Sequence, residues 1–334
     1  MSVLVEQALA GDRLSLSRIL SHVENNTPDA FSILEDLYPR TGKAHLIGVT
    51  GSPGTGKSSL VNQLALAYRK IGLRVAIIAV DPSSPFSGGA ILGDRIRMKD
   101  LSGDAGVFIR SLASRGSLGG LSMATANVAR VFDAMGFEKI LIETVGAGQS
   151  EVEIASLAHT TLVVEAPGMG DDIQAIKAGI LEIADILVIN KADRDGAEQT
   201  ESALRAMLEL DHPKRFIRHH NEIVPVASPR DEPAAYYNGW MTPIIKTVAT
   251  TGDNVGMLVS SIDDHHNHLH TTGEWAERDR GILAHEIETI LRQELLRSFI
   301  SNIPPNALTL VLEEVEHRKW SPQQAVQKLI NGTR

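Results

Sequence analysis

Cysteine is missing from this sequence of 334 residues, and its absence excludes several kinds of chemistry. The chain can form no disulfide bond, it has no thiolate that could hold a metal ion, and it has no thiol nucleophile. A composition without cysteine is typical of proteins in a reducing compartment, so we expect a cytoplasmic location.

Long apolar runs, aromatic residues and an excess of basic residues are also lacking. No stretch comes near the roughly 20 consecutive apolar residues that a transmembrane helix needs, and the start of the chain shows no signal peptide. The 41 acidic residues outnumber the 32 basic ones, and the net charge of −9 disfavours non-specific binding to nucleic acid or anionic lipid. Aromatic residues make up only 4%, too few for a base-stacking platform. We therefore expect neither nucleic acid nor a membrane among the partners.

What is present is an alternation of short β-branched runs with helical patterns in the middle of the chain. The runs fall at 45–50, 75–80, 107–110, 139–143, 161–165, 186–189 and 243–249. They are apolar on both faces and leave room for crossover helices, which predicts an α/β fold with a doubly wound, mostly parallel sheet. Helical spacing of apolar residues predicts a helical extension over 1–43 and a helical arm over 263–334, on either side of a domain at 44–262.

The glycine-rich segment Gly51-Ser-Pro-Gly-Thr-Gly-Lys57-Ser58 lies where a predicted strand turns into a helix. Such glycines let backbone N–H groups converge on phosphates, and the positive end of the following helix adds attraction. Lys57 would reach the β and γ phosphates, and the hydroxyl of Ser58 would bind Mg²⁺. An incidental glycine-rich turn is the alternative, but the position after a strand favours a phosphate-binding loop. The predicted phosphate contacts are Gly51, Ser52, Pro53, Gly54, Thr55, Gly56, Lys57, Ser58 and Ser59.

A second motif, Asn190-Lys191-Ala-Asp193, directly follows a predicted strand. A carboxylate at that place can accept two hydrogen bonds, from N1 and from the exocyclic amine of guanine, and adenine cannot supply that pair. Asp after a strand is also an ordinary helix cap. Several strands downstream of a phosphate-binding loop, the motif instead predicts that guanine is bound by Asn190, Lys191 and Asp193.

Three acidic residues lie at strand ends on the side where the phosphates are expected: Asp81, Asp94 and Glu143. Carboxylates there can hold Mg²⁺ directly or through water, although each could also be a helix cap or a solvated turn residue. Glu143 resembles the acidic residue of a Walker B strand, and the backbone N–H of Gly146 would sense the γ phosphate. Gln149 would orient the attacking water or report on a partner. With Lys57, the predicted catalytic residues are therefore Glu143 and Gln149.

Four histidines lie close together at 265, 266, 268 and 270. Imidazoles at this density can bind nickel or zinc. No cysteine completes a tight site, so a solvated helix end is the interpretation we favour.

These motifs together give the chain a resemblance to the MeaB/ArgK family, the GTPases that accompany adenosylcobalamin-dependent acyl-CoA mutases such as methylmalonyl-CoA mutase. The resemblance covers roughly residues 40 to 290 and is carried by the phrases at 48–58, 79–85, 92–98, 115–120, 143–151 and 190–193. It implies a P-loop GTPase domain of the SIMIBI class with GTP or GDP and Mg²⁺ as cofactors. It also implies a homodimer formed through the C-terminal arm, and a chaperone that gates cofactor loading and protects the mutase.

The resemblance assigns roles to further positions. The loop 168–177 resembles a switch that senses the mutase, which makes Gln174 and Lys177 candidates for partner sensing. The fifth GTPase motif, usually a strand that ends in Ser-Ala, is altered here to the segment 246–251. The guanine-contacting backbone is therefore expected near Val248, Ala249 and Thr250, with the segment 224–228 as the competing assignment.

Two other functions share the phosphate-binding loop. A small-molecule kinase, the activity named in the amino-acid-transport-kinase label of some relatives, would need an acceptor pocket and a base beside the γ phosphate, and the sequence indicates neither. A nickel-insertion GTPase is the second alternative, and the lack of cysteine disfavours it.

Overall fold

The structure is a computed structural model, and it describes residues 1–81, 99–101, 103–113, 120–144, 154–168, 183–211, 216–219, 222–225, 239–304 and 306–332. The strands are β1 His45–Thr50, β2 Val75–Asp81, β3 Val107–Ala113, β4 Lys139–Thr144, β5 Thr160–Glu165, β6 Ile186–Asn190, β7 Phe216–His219, β8 Glu222–Pro225 and β9 Ile244–Thr247. The helices are α1 Val3–Leu9, α2 Arg13–Glu24, α3 Pro28–Leu37, α4 Lys57–Lys70, α5 Gly120–Ala134, α6 Ala197–Asp211, α7 Val255–Thr272, α8 Glu274–Asn302, α9 Ala307–Glu316 and α10 Pro322–Gly332.

Within the described residues, seven strands form one sheet in the order β3-β2-β4-β1-β5-β6-β9. Every pairing in this sheet is parallel, so the carboxyl ends of its strands lie along one edge. Strands β7 and β8 form a separate antiparallel pair. The predicted doubly wound α/β fold is confirmed, and all seven predicted strands are present in the main sheet.

Successive side chains of the buried strands enter opposite layers of the core, because side chains alternate across a sheet. In β2, Ala76 and Ile78 pack in one layer while Val75 and Ile77 pack in the other. The second layer contains α4 and α7, and a smaller cluster around Leu204 packs α6 on β5 and β6. Helices therefore cover both faces of the sheet.

The three N-terminal helices belong to the first of these layers. Ile19 and Leu20 of α2 are fully buried, and they share a core with Phe132 of α5 and with apolar side chains of β2 and β4. The connection into β1 is held by Asp133, whose carboxylate accepts hydrogen bonds from the backbone N–H groups of residues 42, 43 and 44. The predicted helical extension thus packs on α5, which itself packs on β2, β3 and β4.

The described chain divides into two compact units, Met1–Ile282 and Leu283–Arg334. The predicted boundary between residues 262 and 263 falls inside α7, which packs against α4 and β9 of the first unit. The second unit contains α9 packed on α10, and it has exposed apolar side chains such as Leu291, Leu295 and Leu312. None of the helices in the described ranges is long and apolar enough to cross a membrane.

Candidate nucleotide-binding site

The glycine-rich segment forms a tight loop between β1 and α4. The backbone φ values of Gly51, Gly54 and Gly56 are 129°, 80° and 93°, and residues with a Cβ atom rarely adopt such values. A Cβ atom at Gly51 would lie 2.1 Å from the carbonyl oxygen of Val164, and one at Gly56 would lie 2.5 Å from Nδ2 of Asn190. Glycine is therefore needed both for the turn and for the close approach to β5 and to the last residue of β6.

Lys57 begins α4, and its side chain folds back over the loop. The Nζ atom donates hydrogen bonds to the carbonyl oxygens of Gly51 at 2.7 Å and of Ser52 at 3.0 Å. The first turn of any helix has N–H groups without intrahelical acceptors, and these favour an anion. The loop thus presents an ammonium group and a helix N-terminus to the same space, which fits a polyphosphate.

Ser58 and Glu143 bring oxygen ligands together beside the loop. The Ser58 hydroxyl donates a hydrogen bond to Oε1 of Glu143, whose side chain is only 1% exposed. Glu143 lies on β4 between Val49 of β1 and Ala79 of β2, and the backbone of Asp81 ends the neighbouring strand β2. Hydroxyl and carboxylate oxygens are the ligands that Mg²⁺ prefers, so the residues present fit a magnesium ion.

The last residue of β6 and the residue after it contact the phosphate-binding loop directly. Nδ2 of Asn190 donates to the carbonyl oxygen of Thr55 at 2.8 Å, and Nζ of Lys191 donates to that of Gly54 at 2.5 Å. Lys191 has a φ of 57°, which turns the chain sharply after the strand. Asp193 is exposed and follows two residues later. The structure therefore brings the two predicted nucleotide motifs into contact.

The segment 248–250 contacts Asn190, the last residue of β6. Oδ1 of Asn190 accepts a hydrogen bond from the backbone N–H of Ala249 at 3.0 Å, and Asn190 is paired with Thr247 of β9. Val248 opens a tight turn in which its carbonyl accepts from the N–H groups of residues 251 and 252. The described part of the competing segment, in β8, pairs with β7 instead. The arrangement favours Val248, Ala249 and Thr250.

Five predicted site residues fall outside the described ranges: Asp94, Gly146, Gln149, Gln174 and Lys177. Their assignments stay predictions. For Asp81 the structure gives the backbone position at the end of β2.

Comparison with known proteins decides the family. The family model described as methylmalonyl-CoA mutase-associated GTPase MeaB matches residues 16–303. This chain belongs to the MeaB family. The resemblance inferred from the sequence motifs is thereby confirmed.

Individual relatives agree with this MeaB family assignment. A putative GTPase of Pyrococcus horikoshii is 46% identical over 288 residues, which cover 86% of this chain and 84% of that protein. A putative GTPase of Pyrococcus abyssi is 41% identical over 327 residues, or 98% and 95% of the two chains. A crystal structure described as LAO/AO transport system kinase has a TM-score of 0.69 at 24% identity, covers 98% of this chain and 95% of that one, and shows the shared fold. The chain is a P-loop GTPase that binds guanine nucleotide.

One residue of this MeaB-family site was not among the predicted ones. Glu165 ends β5, is 3% exposed, and accepts a hydrogen bond from Oγ of Ser52 at 3.2 Å. The sequence did contain a signal for Glu165, because it is an acidic residue at the carboxyl end of a predicted strand. Glu143 was predicted as a site residue on that same ground. Only the sheet order, which puts β5 next to β1, shows that Glu165 contacts the phosphate-binding loop.

The predicted histidine cluster lies far from the phosphate-binding loop, at the amino ends of the strands. His265 is fully buried, and its Nδ1 is 2.8 Å from Oγ1 of Thr160, which is in turn 2.7 Å from Nε2 of His45. The interpretation as a solvated helix end is therefore wrong for His265, which packs in the core. In the described part of this MeaB-family chain, no group of three or more His, Asp or Glu residues could hold a metal ion.

Proposed function

We propose that this GTPase is a chaperone of an adenosylcobalamin-dependent acyl-CoA mutase of the methylmalonyl-CoA mutase type. In this proposal GTP hydrolysis times the loading of the cofactor and the protection of the mutase. The description of the matching family, which names association with methylmalonyl-CoA mutase, supports the partner. A sequence without cysteine supports a cytoplasmic location.

The observation that carries the nucleotide part is the central position of Asn190. The buried side chain of Asn190 contacts Thr55 in the phosphate-binding loop and Ala249 in the segment 248–250. Residues from three distant parts of the sequence thus lie together at the carboxyl edge of the sheet. We infer that Asp193 accepts hydrogen bonds from guanine, with Lys191 and the backbone of 248–250 around the base.

The residues around the phosphate-binding loop would carry out the catalysis. We infer that Lys57 exchanges its two carbonyl partners for the β and γ phosphates when nucleotide binds, and that it then stabilises negative charge developing on the transferred group. Ser58, Asp81, Asp94 and Glu143 would hold Mg²⁺, which neutralises phosphate charge when bound. Gln149 would orient the attacking water, and the N–H of Gly146 would contact the γ phosphate.

Partner sensing is assigned to Gln174 and Lys177, and a hydrolysis assay tests it. GTP turnover is measured with and without methylmalonyl-CoA mutase, and we expect the mutase to raise the rate. Gln174→Ala and Lys177→Ala should keep basal hydrolysis and lose the stimulation, whereas Gln199→Ala, an exposed glutamine on α6, should keep both. Equal rates with and without mutase in the unmodified protein would refute the coupling and leave the GTPase activity intact.

We also propose a homodimer formed through the C-terminal arm at 263–334. The support is the row of apolar side chains that α8 exposes at Ile287, Leu291 and Leu295. Sedimentation of Leu291→Arg with Leu295→Arg should show a monomer where the unmodified chain shows a dimer. A monomeric unmodified chain would contradict this part of the proposal.

A further inference from the structure

A buried acidic side chain lies beside the phosphate-binding loop, and its charge has the same sign as that of a phosphate group. Glu165 is 3% exposed and receives the Ser52 hydroxyl hydrogen bond, while the carbonyl oxygen of Ser52 receives one from Lys57. One loop residue is therefore contacted by a carboxylate through its side chain and by an ammonium group through its backbone. The loop backbone at Gly51 is pressed against β5, the strand that ends in Glu165.

A carboxylate at this place must weaken the binding of a polyphosphate. Like charges repel, and the repulsion is stronger in a poorly solvated site than in water. Glu143 differs, because its proposed magnesium ion would offset its charge. Glu165 lies on the opposite side of β1 from Glu143, since β1 is flanked by β5 and β4.

We propose that Glu165 is a positioning residue that limits nucleotide affinity and speeds nucleotide release. This inference rests on the proposed arrangement of the GTP site. Its carboxylate holds Ser52 in place and lowers the net positive charge around the phosphates. Removing its negative charge while the Ser52 hydrogen bond is kept makes the surroundings of the phosphates more positive.

The test is Glu165→Gln, which keeps an oxygen to accept the Ser52 hydrogen bond and removes the charge. Dissociation of fluorescent mant-GDP is followed by stopped flow in the full chain. We expect about tenfold slower release and about tenfold tighter binding, which corresponds to about 1.4 kcal/mol. A non-hydrolysable GTP analogue, which has more negative charge than GDP, should gain more. The control Glu35→Gln, an exposed glutamate on α3, should change neither.

Ser52→Ala separates the charge from the hydrogen bond. It removes the donor and retains the carboxylate, so it should not tighten binding; tighter binding in this variant would overturn the charge argument. Unchanged or faster release from Glu165→Gln, or an equal gain for GDP and the GTP analogue, would also overturn the inference. Thermal unfolding checks that the variant is folded, and Glu165→Met provides a second neutral side chain with the same expected direction. A wild-type chain that bound no guanine nucleotide would instead refute the proposed site itself.

Discussion

Replacing Asn190 with alanine tests whether one side chain joins the three nucleotide loops. Asn190 is 1% exposed, donates to Thr55, and accepts from the backbone N–H of Ala249 and from Oγ1 of Thr247 at 3.3 Å. Alanine removes all of these bonds. The carbonyl of Thr55 and the N–H of Ala249 would then be left in a buried place without this partner.

The magnitude follows from those two backbone groups. A buried polar group that loses its partner costs about 1–3 kcal/mol, so the free energy of unfolding should fall by about 2–6 kcal/mol in total. Equilibrium urea unfolding of the nucleotide-free protein measures it. Asn267→Ala, at an exposed asparagine on α7, is the matched control and should stay within about 0.5 kcal/mol of the unmodified chain. A loss below about 1 kcal/mol for Asn190→Ala would refute the bracing role.

Three further predictions concern the base, the phosphates and pH. Asp193→Asn should weaken GTP binding on the order of 100-fold. The binding of GTP is measured in the presence of competing ATP, and an unchanged affinity for GTP would contradict the guanine assignment. Lys57→Ala should lower GTP affinity and turnover together, each by about 100-fold in binding and single-turnover assays, and loss of only one would contradict its role. Burial, helped by the charge of Lys139, lowers the pKa of His266 to about 4, below about 6.5 in the unfolded chain. The folded state therefore loses stability as the pH falls from about 6.5 toward 4, and the urea midpoint of His266→Gln should depend less on pH between about pH 7 and about pH 5 than that of the unmodified chain.

Much of the fold follows from local patterns. The run 45–50 predicts β1 with the observed bounds, because its residues are apolar on both faces and end at glycine. The strand predicted at 107–110 is longer in the structure and reaches Ala113. The strand β3 continues past the charged residue Arg110, because the guanidinium of Arg110 forms an ion pair with Glu24 of α2. That pairing joins residues far apart in the sequence, so no local pattern could reveal it.

The site divides in the same way. The phosphate-binding loop and the motif at 190–193 are local sequences with fixed spacing, and they were predictable for that reason. The contact between Ser52 and Glu165 depends on β1 and β5 being neighbours, which is a property of strand order. The burial of His265 likewise depends on α7 packing over the amino ends of the strands.

The N-terminal helices have a practical consequence for work on this protein. Ile19, Leu20 and their neighbours share an apolar core with Phe132 of α5 and with Ile78 and Ile140 of the sheet. A truncated chain that began at residue 44 would keep every nucleotide motif and expose apolar side chains of that core to water. Such a fragment would self-associate in vitro. A low GTPase activity of the fragment would then result from aggregation and not from the loss of a catalytic residue. Truncations intended to isolate the GTPase should therefore retain α1, α2 and α3.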